Sequence, residues 1–175
     1  MDIDRIVDFW TKEIVTRYKG REHSYPITTD FALTQRHKLD QTLVYQAALA
    51  GAQLITSCRV TGLNRAEGIW RVHTAKERFE APIVVGADGA YGNIAKFAGI
   101  LQPRTIFIAS EWNIYPSDHA HIDKWRDRIL LEFSINPIGY WWIFPKADHL
   151  NVGFGGPKKN AKNLNAFTAN FVAKE

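Results

Sequence analysis

The sequence predicts an α+β fold, and three observations carry that expectation. A helical pattern over residues 39–50 is followed by short alternating stretches that read as strands. A β-branched run, Ile83-Val84-Val85, leads directly into Gly86-Ala87-Asp88-Gly89-Ala90. From Thr105 onward, four strand-like stretches follow with little helix between them, which favours antiparallel pairing. The expected division places one unit over residues 1–101 and an antiparallel sheet over residues 102–175, with Gln102-Pro103 at the boundary.

Taken in order, Asp4 to Tyr18 carries apolar residues at Ile6, Val7, Trp10, Ile14 and Val15, a helix face that turns into strand-like alternation near its end. Lys19-Gly20 marks a turn, and Glu22 to Ile27 returns from it, weakened at Pro26. Thr28 to Thr34 reads as irregular. Leu39, Leu43, Gln46, Ala47 and Ala50 mark one helix face, and Gly51 stands where a left-handed cap is favoured. Gln53 to Ser57 and Arg59 to Asn64 read as strand. Ile69 to Thr74 pairs back across a polar turn, and Glu77 to Ala81 adds a third short strand. Ile83-Val84-Val85 has the composition of a strand buried on both faces, and a helix is expected over Asn93 to Ala98. Thr105 to Trp112, Ile129 to Ser134, Tyr140 to Phe144 and Leu150 to Phe154 are the later strands, with helical stretches at Ile122 to Arg128 and Leu164 to Val172.

Bulk properties narrow the function. With 46% hydrophobic and 23% charged residues, the 175-residue chain can bury one good core. The net charge of +4 is scattered, which suits an anionic small partner such as a phosphate and argues against a dedicated nucleic-acid binder. Cys58 is the only cysteine, so neither an intrachain disulfide nor a multi-thiolate metal site can form, and a reducing, cytoplasmic setting is expected. No run of 18 apolar residues exists to span a bilayer.

The stretch Gly139 to Gly156 is the densest in chemistry. Tyr140, Trp142 and Phe144 fall on one strand face, Pro145 ends the ladder, and Lys146 to His149 turns the chain. Gly153, Gly155 and Gly156 leave room on the returning strand. The aromatics can fill a core or form a wall for a flat or oily ligand. Val84 to Ala90 is a second anchor: a strand end, glycines and a helix start can face an anion, with Asp88 as an acceptor for a sugar hydroxyl. The same segment also reads as an ordinary Asp-Gly turn.

Together these segments resemble FAD-dependent oxidoreductases of the p-hydroxybenzoate hydroxylase type, and within them the geranylgeranyl reductase family. Its Tyr-x-Trp-x-Phe-Pro-Lys-Gly hallmark followed by Gly-x-Gly appears as Tyr140, Trp142, Phe144, Pro145, Lys146, then Gly153 and Gly155. Asp88-Gly89 matches the Asp-Gly fingerprint, and Arg36, Leu39-Asp40 and Gly51-Ala52 match a third element. Ala147 replaces the hallmark glycine, and Gly92-Asn93 and Lys96 stand where the fingerprint has Ser and Arg. The chain carries no Gly-x-Gly-x-x-Gly turn, and the family's later Gly-Asp segment is also missing.

The resemblance implies a middle piece of a flavoprotein, an incomplete FAD-binding domain plus an antiparallel substrate-domain sheet. It implies that Gln35, Arg36, Val60, Asp88 and Gly89 contact FAD. It implies that Tyr140, Trp142, Phe144, Pro145, Gly153 and Gly155 line a tunnel for a prenylated lipid, quinone or pigment. NAD(P)H or another donor would reduce the flavin, which would pass hydride to prenyl double bonds. Weak or absent FAD binding is expected of this piece alone, along with contact with a membrane surface. A flavin monooxygenase, a quinone-linked dehydrogenase and a non-catalytic lipid-binding module are the competing expectations. His37, His73, His119, His121 and His149 are acid candidates by type alone, and no metal cluster is evident.

Overall fold

In the computed structural model, residues 3–101, 105–133 and 139–158 are described. Two compact units divide the chain. One joins the residues up to Ala50 with those from Phe107 onward, and the other holds Gly51–Ile106. This differs from the expected break near residue 101, because the first strands belong to the sheet of the later ones.

The larger unit opens with a 3-10 turn, Ile3–Ile6, and two long strands, β1 (Val7–Tyr18) and β2 (Arg21–Thr34). Helix α1 (Arg36–Leu49) follows and ends at Gly51, whose φ of 95° is the left-handed conformation that glycine adopts without strain. After the smaller unit come β6 (Phe107–Ile114), a short helix α3 (Ala120–Asp123), β7 (Arg128–Glu132), β8 (Tyr140–Pro145) and β9 (Leu150–Pro157). Six strands make one sheet in the order β2-β1-β7-β8-β9-β6. Every neighbouring pair is antiparallel except β1 and β7, which run parallel with Val15 beside Leu130.

Register explains the core. Val15, Leu130, Ile143 and Val152 lie abreast on one face, and Ile122 and Trp125 close over them with Leu150. Trp141 and Phe154, also abreast, pack their rings 5.2 Å apart. Because strand side chains alternate, the opposite face carries Tyr140, Trp142 and Phe144, as the spacing predicts.

The smaller unit holds β3 (Val60–Ala66), β4 (Ile69–Thr74) and β5 (Arg78–Ala81) in an antiparallel three-stranded sheet, followed by the single turn α2 (Ile94–Phe97). No described residue between Gly51 and Leu101 is buried.

Five expectations change, and one is the helix at Ile122 to Arg128: α3 stops at Asp123, because Arg128 already opens β7. The apolar spacing after Asp4 does not make a helix: Val7 to Tyr18 is flanked by β2 and β7, and pairing on both sides overrides a spacing that is helical at first. Thr28 to Thr34 is not irregular but continues β2, because β1 is long enough to hold it in register. Gln53 to Ser57 and Ile83 to Val85 form no strand, since among the described residues no strand pairs with them. Ile83 and Val85 are 77% and 82% exposed, so their β-branched composition expresses a preference without a partner. The later sheet is not purely antiparallel, because β1 enters it in parallel. The helix expected at Leu164 to Val172, the boundary at Gln102-Pro103 and Ser134 lie outside the described residues. The α+β class stands, as a mixed sheet with few helices.

Candidate cofactor and substrate site

The hallmark hairpin is built by its own register. Trp142 faces Gly153 across β8 and β9, and Tyr140 faces Gly155. A Cβ on Gly153 would lie inside the Trp142 indole, and one on Gly155 would come within 3.3 Å of the Tyr140 ring. Glycine is therefore needed at Gly153 and favoured at Gly155, but the space above Gly153 belongs to Trp142 and not to an incoming ligand. With no side chain beneath it the indole lies against β9, and Trp142 is 6% exposed. Its Nε1–H donates to Asn151 Oδ1 at 2.8 Å, and Asn151 Nδ2 donates to Asn113 Oδ1 at 3.0 Å. A buried indole N–H needs such a partner, and here the partner fixes the ring's orientation. Tyr140, Trp142 and Phe144 form a ladder, with ring centroids 5.8 Å and 6.0 Å apart along it.

This ladder opens onto a cavity of about 460 Å³ within the larger unit. Trp142, Phe144 and Tyr115 supply its aromatic surface. Gln35, Arg36 and His37 come from the start of α1, Glu111 and Asn113 from β6, and Lys146 and His149 from the β8–β9 turn. Gln35 makes no side-chain cap to α1, and its carbonyl accepts from the Lys38 and Leu39 amides at 3.0 and 3.1 Å. Arg36 is exposed and directs Nε to Asp40 at 2.8 Å. Two of the sequence-predicted cofactor residues thus share one cavity with two of the predicted substrate residues, Trp142 and Phe144. Tyr140 is 40% exposed at the hairpin's end, and Pro145 is buried on the core face, away from that surface.

Burial pushes the Lys146 ammonium below its ordinary value, Asp8 and Glu111 draw it back up, and Lys38 lowers it further. Lys146 N–H donates to His149 O at 2.8 Å, closing the turn. His149 is 4% exposed, with Nδ1 2.7 Å from Asp148 Oδ1 and its ring 4.9 Å from that of Tyr115. The hydrogen bond to His149 holds the Asp148 carboxyl below the usual carboxylate range.

The remaining cofactor candidates lie in the smaller unit. Val60 and Asp88 line one cavity there, and Gly89 borders another with Asp88. Asp88 Oδ2 accepts from the Ile94 N–H at 3.0 Å, so its carboxylate caps α2. Gly92 gives that carboxylate room, and Gly89, at φ 78°, makes the turn. The fingerprint is folded as a helix cap, and the sugar-hydroxyl role expected of Asp88 must compete with that bond. Among the other histidines, His37 reaches the larger unit's cavity, whereas His73 bonds Asn64 at 2.6 Å and His119 and His121 belong to α3 and its cap. No group of three or more metal-ligating side chains occurs among the described residues.

Asn113, Asn151, Glu111, Tyr115 and Thr34 were not foreseen as site residues. The polar Asn151 inside an apolar strand was the available signal, since it sits beside the facing Trp142 once the hairpin register is drawn.

The fold is that of FAD-linked flavoproteins. The halogenase PltM, solved with phloroglucinol and FAD, superposes with a TM-score of 0.76 over 98% of this chain and 41% of its own, at 10% identity. A flavoprotein/dehydrogenase from Cytophaga hutchinsonii does so with a TM-score of 0.66 over 85% of this chain and 40% of its own, at 16% identity. Sequence comparison is more specific. The geranylgeranyl reductase catalytic domain model matches residues 112–175. Digeranylgeranylglycerophospholipid reductases from Methanococcus vannielii and Methanocaldococcus jannaschii are 32% and 31% identical over 81% and 82% of this chain. The chain belongs to the geranylgeranyl reductase family, and it spans 38% and 39% of the length of those two relatives. No helix among the described residues is long and apolar enough to cross a membrane.

Proposed function

We propose that this chain forms the substrate-facing sheet and part of the flavin cradle of an FAD-dependent reductase that saturates prenyl double bonds in a lipid. The observation that carries the reading is the cavity in which the ladder Trp142–Phe144 meets the start of α1. A flat aromatic floor suits an isoprenoid chain or an isoalloxazine ring, and the helix start suits an anion.

The residues present fit part of FAD. Gln35 places no side-chain cap on α1, and Arg36 offers a planar fork that can exchange Asp40 for phosphate oxygens. When bound, the flavin supplies hydride to the double bond. The protein's part is to hold the prenyl chain against Trp142 and Phe144, exclude water there and place charge at the rim. Arg36, His37, Glu111, Tyr115, Lys146 and His149 are the titratable groups that line this cavity. The activity for which these relatives are named points to a prenylated glycerophospholipid, which would be met at a membrane surface.

Fluorescence titration of the chain with a geranylgeranylated glycerophospholipid, with and without FAD, tests this. Lipid should alter tryptophan emission and FAD should tighten lipid binding weakly in this piece, and in an enzyme carrying the rest of the cradle reduced FAD should add hydrogen to the lipid's double bonds by mass spectrometry. Lipid binding that is indifferent to FAD would instead support a binding module without catalysis.

A further inference from the structure

Residues 34–38 enter the cavity wall through three ties to the large sheet. Thr34 Oγ1 donates to Ile6 O at 2.6 Å, and the Lys38 ammonium meets Asp8 Oδ1 at 3.1 Å. The third comes from the other end of the chain: Lys146 Nζ donates to the Thr34 carbonyl at 2.7 Å. We propose that Lys146 is a positioning residue that clamps the β2–α1 junction to the β8–β9 hairpin, so that Gln35 and Arg36 are presented at the rim of the aromatic cavity.

Two features set this clamp apart from an incidental surface contact. The Lys146 backbone is fixed on both sides, by buried Pro145 before it and by its own N–H bond to His149 O. Its side chain therefore starts from a fixed backbone, and the bond to Thr34 O together with the attraction of Asp8 offsets the rotamer freedom that the lysine loses. Beside the junction, the Asp8 side chain is 3% exposed, and its Oδ2 has no hydrogen-bond partner. A buried carboxylate with an open oxygen persists only where positive charge surrounds it. Lys38 supplies that charge by contact, and Lys146 supplies it through the field. Asp8 thus favours the placement of both Lys38 and Lys146 and offsets the repulsion between the two ammonium groups, and the carbonyl that Lys146 holds belongs to the residue before Gln35. The consequence for the flavin rests on the reading above, whereas the clamp itself does not.

Hydrogen exchange on the whole chain tests the clamp without any cofactor. The amides of Lys38 and Leu39 both bond Gln35 O and report on the junction. Lys146→Met, which keeps the stem but removes the donor, should speed their exchange about tenfold or more. The amides of Leu130 and Ile143 should not change, and Lys146→Arg should restore the junction. Equal exchange at Lys38 and Leu39 in the wild type and in Lys146→Met overturns the proposal. If Lys146→Met also loosens Leu130 and Ile143, Lys146→Gln takes its place; it is polar but too short to reach Thr34. Acceleration confined to the junction supports the clamp, and its absence there overturns it. FAD titration of the same variants separates the two readings. Weak or absent FAD binding by every variant, as expected of this piece alone, leaves the exchange result to decide the clamp.

Discussion

The two compact units handle apolar surface in opposite ways. In the larger one, Leu130 is fully buried and Ile143 is 1% exposed, between strands on both sides and under Ile122 and Trp125. In the smaller one, three strands pair in good register, yet none of their side chains is buried. Hydrogen-bonded ladders are present in both. What separates them is a second layer: a sheet buries a face only when something packs on it. Pairing alone leaves Ile69 exposed, and strand propensity without pairing leaves Ile83 and Val85 in water.

Truncating the larger unit's aromatic floor should give the widest contrast. Trp142→Ala should cost roughly 3–5 kcal/mol in chemical denaturation, because it removes a buried ring and its bond to Asn151. Trp70→Ala, in the half-buried middle of the small sheet, should cost about 1 kcal/mol or less. Comparable losses would mean that the small sheet is covered in solution. Leu130→Ala comes next, at about 2–5 kcal/mol, with Val72→Ala as its small-unit counterpart well below that. Gly153→Ala should cost about 1–3 kcal/mol by forcing the indole off β9, and should shift tryptophan emission to the red. Gly68→Ala in the β3–β4 turn meets no atoms, so its cost should come from its φ of 83° alone, with tryptophan emission unchanged.

The smallest effect concerns acid. Asp148's folded pKa is depressed by its bond to His149, so its contribution is present above its unfolded value of 3.8 and is lost as pH falls through the folded value. Asp148→Asn should flatten the acid limb of the larger unit's stability slightly. An unchanged limb would mean that His149 is held by Tyr115 alone.

Much of this architecture could be read from residue order, and the failures share one cause. The β8–β9 hairpin was legible because alternation, Pro145 and the following turn agree. Helix α1 was legible from its spacing and Gly51. Strand β1 was not, because Ile6, Val7, Trp10 and Ile14 have helical spacing and only Ile14 to Tyr18 alternates, whereas β7 lies beside Glu13 to Arg17. The 83–85 run was read for what it prefers, but a strand also needs a neighbour. At the site, glycines on β9 announced an open space without revealing that Trp142 fills it, since that follows only from cross-strand register. Asp88 announced an acceptor, and the nearest donor turned out to be the Ile94 amide.

The parallel pairing of β1 with β7 also bears on how the molecule is made. β1 and β2 can zip together as soon as they emerge, since a short turn joins them. The middle of the sheet cannot close until Arg128 to Glu132 has been synthesised and has returned past the whole intervening unit to lie along Glu13 to Arg17. Contacts so distant in sequence slow folding and leave the waiting hairpin exposed to other chains. During synthesis, Val15 therefore faces a delay that the finished sheet, in which it is 3% exposed, no longer records.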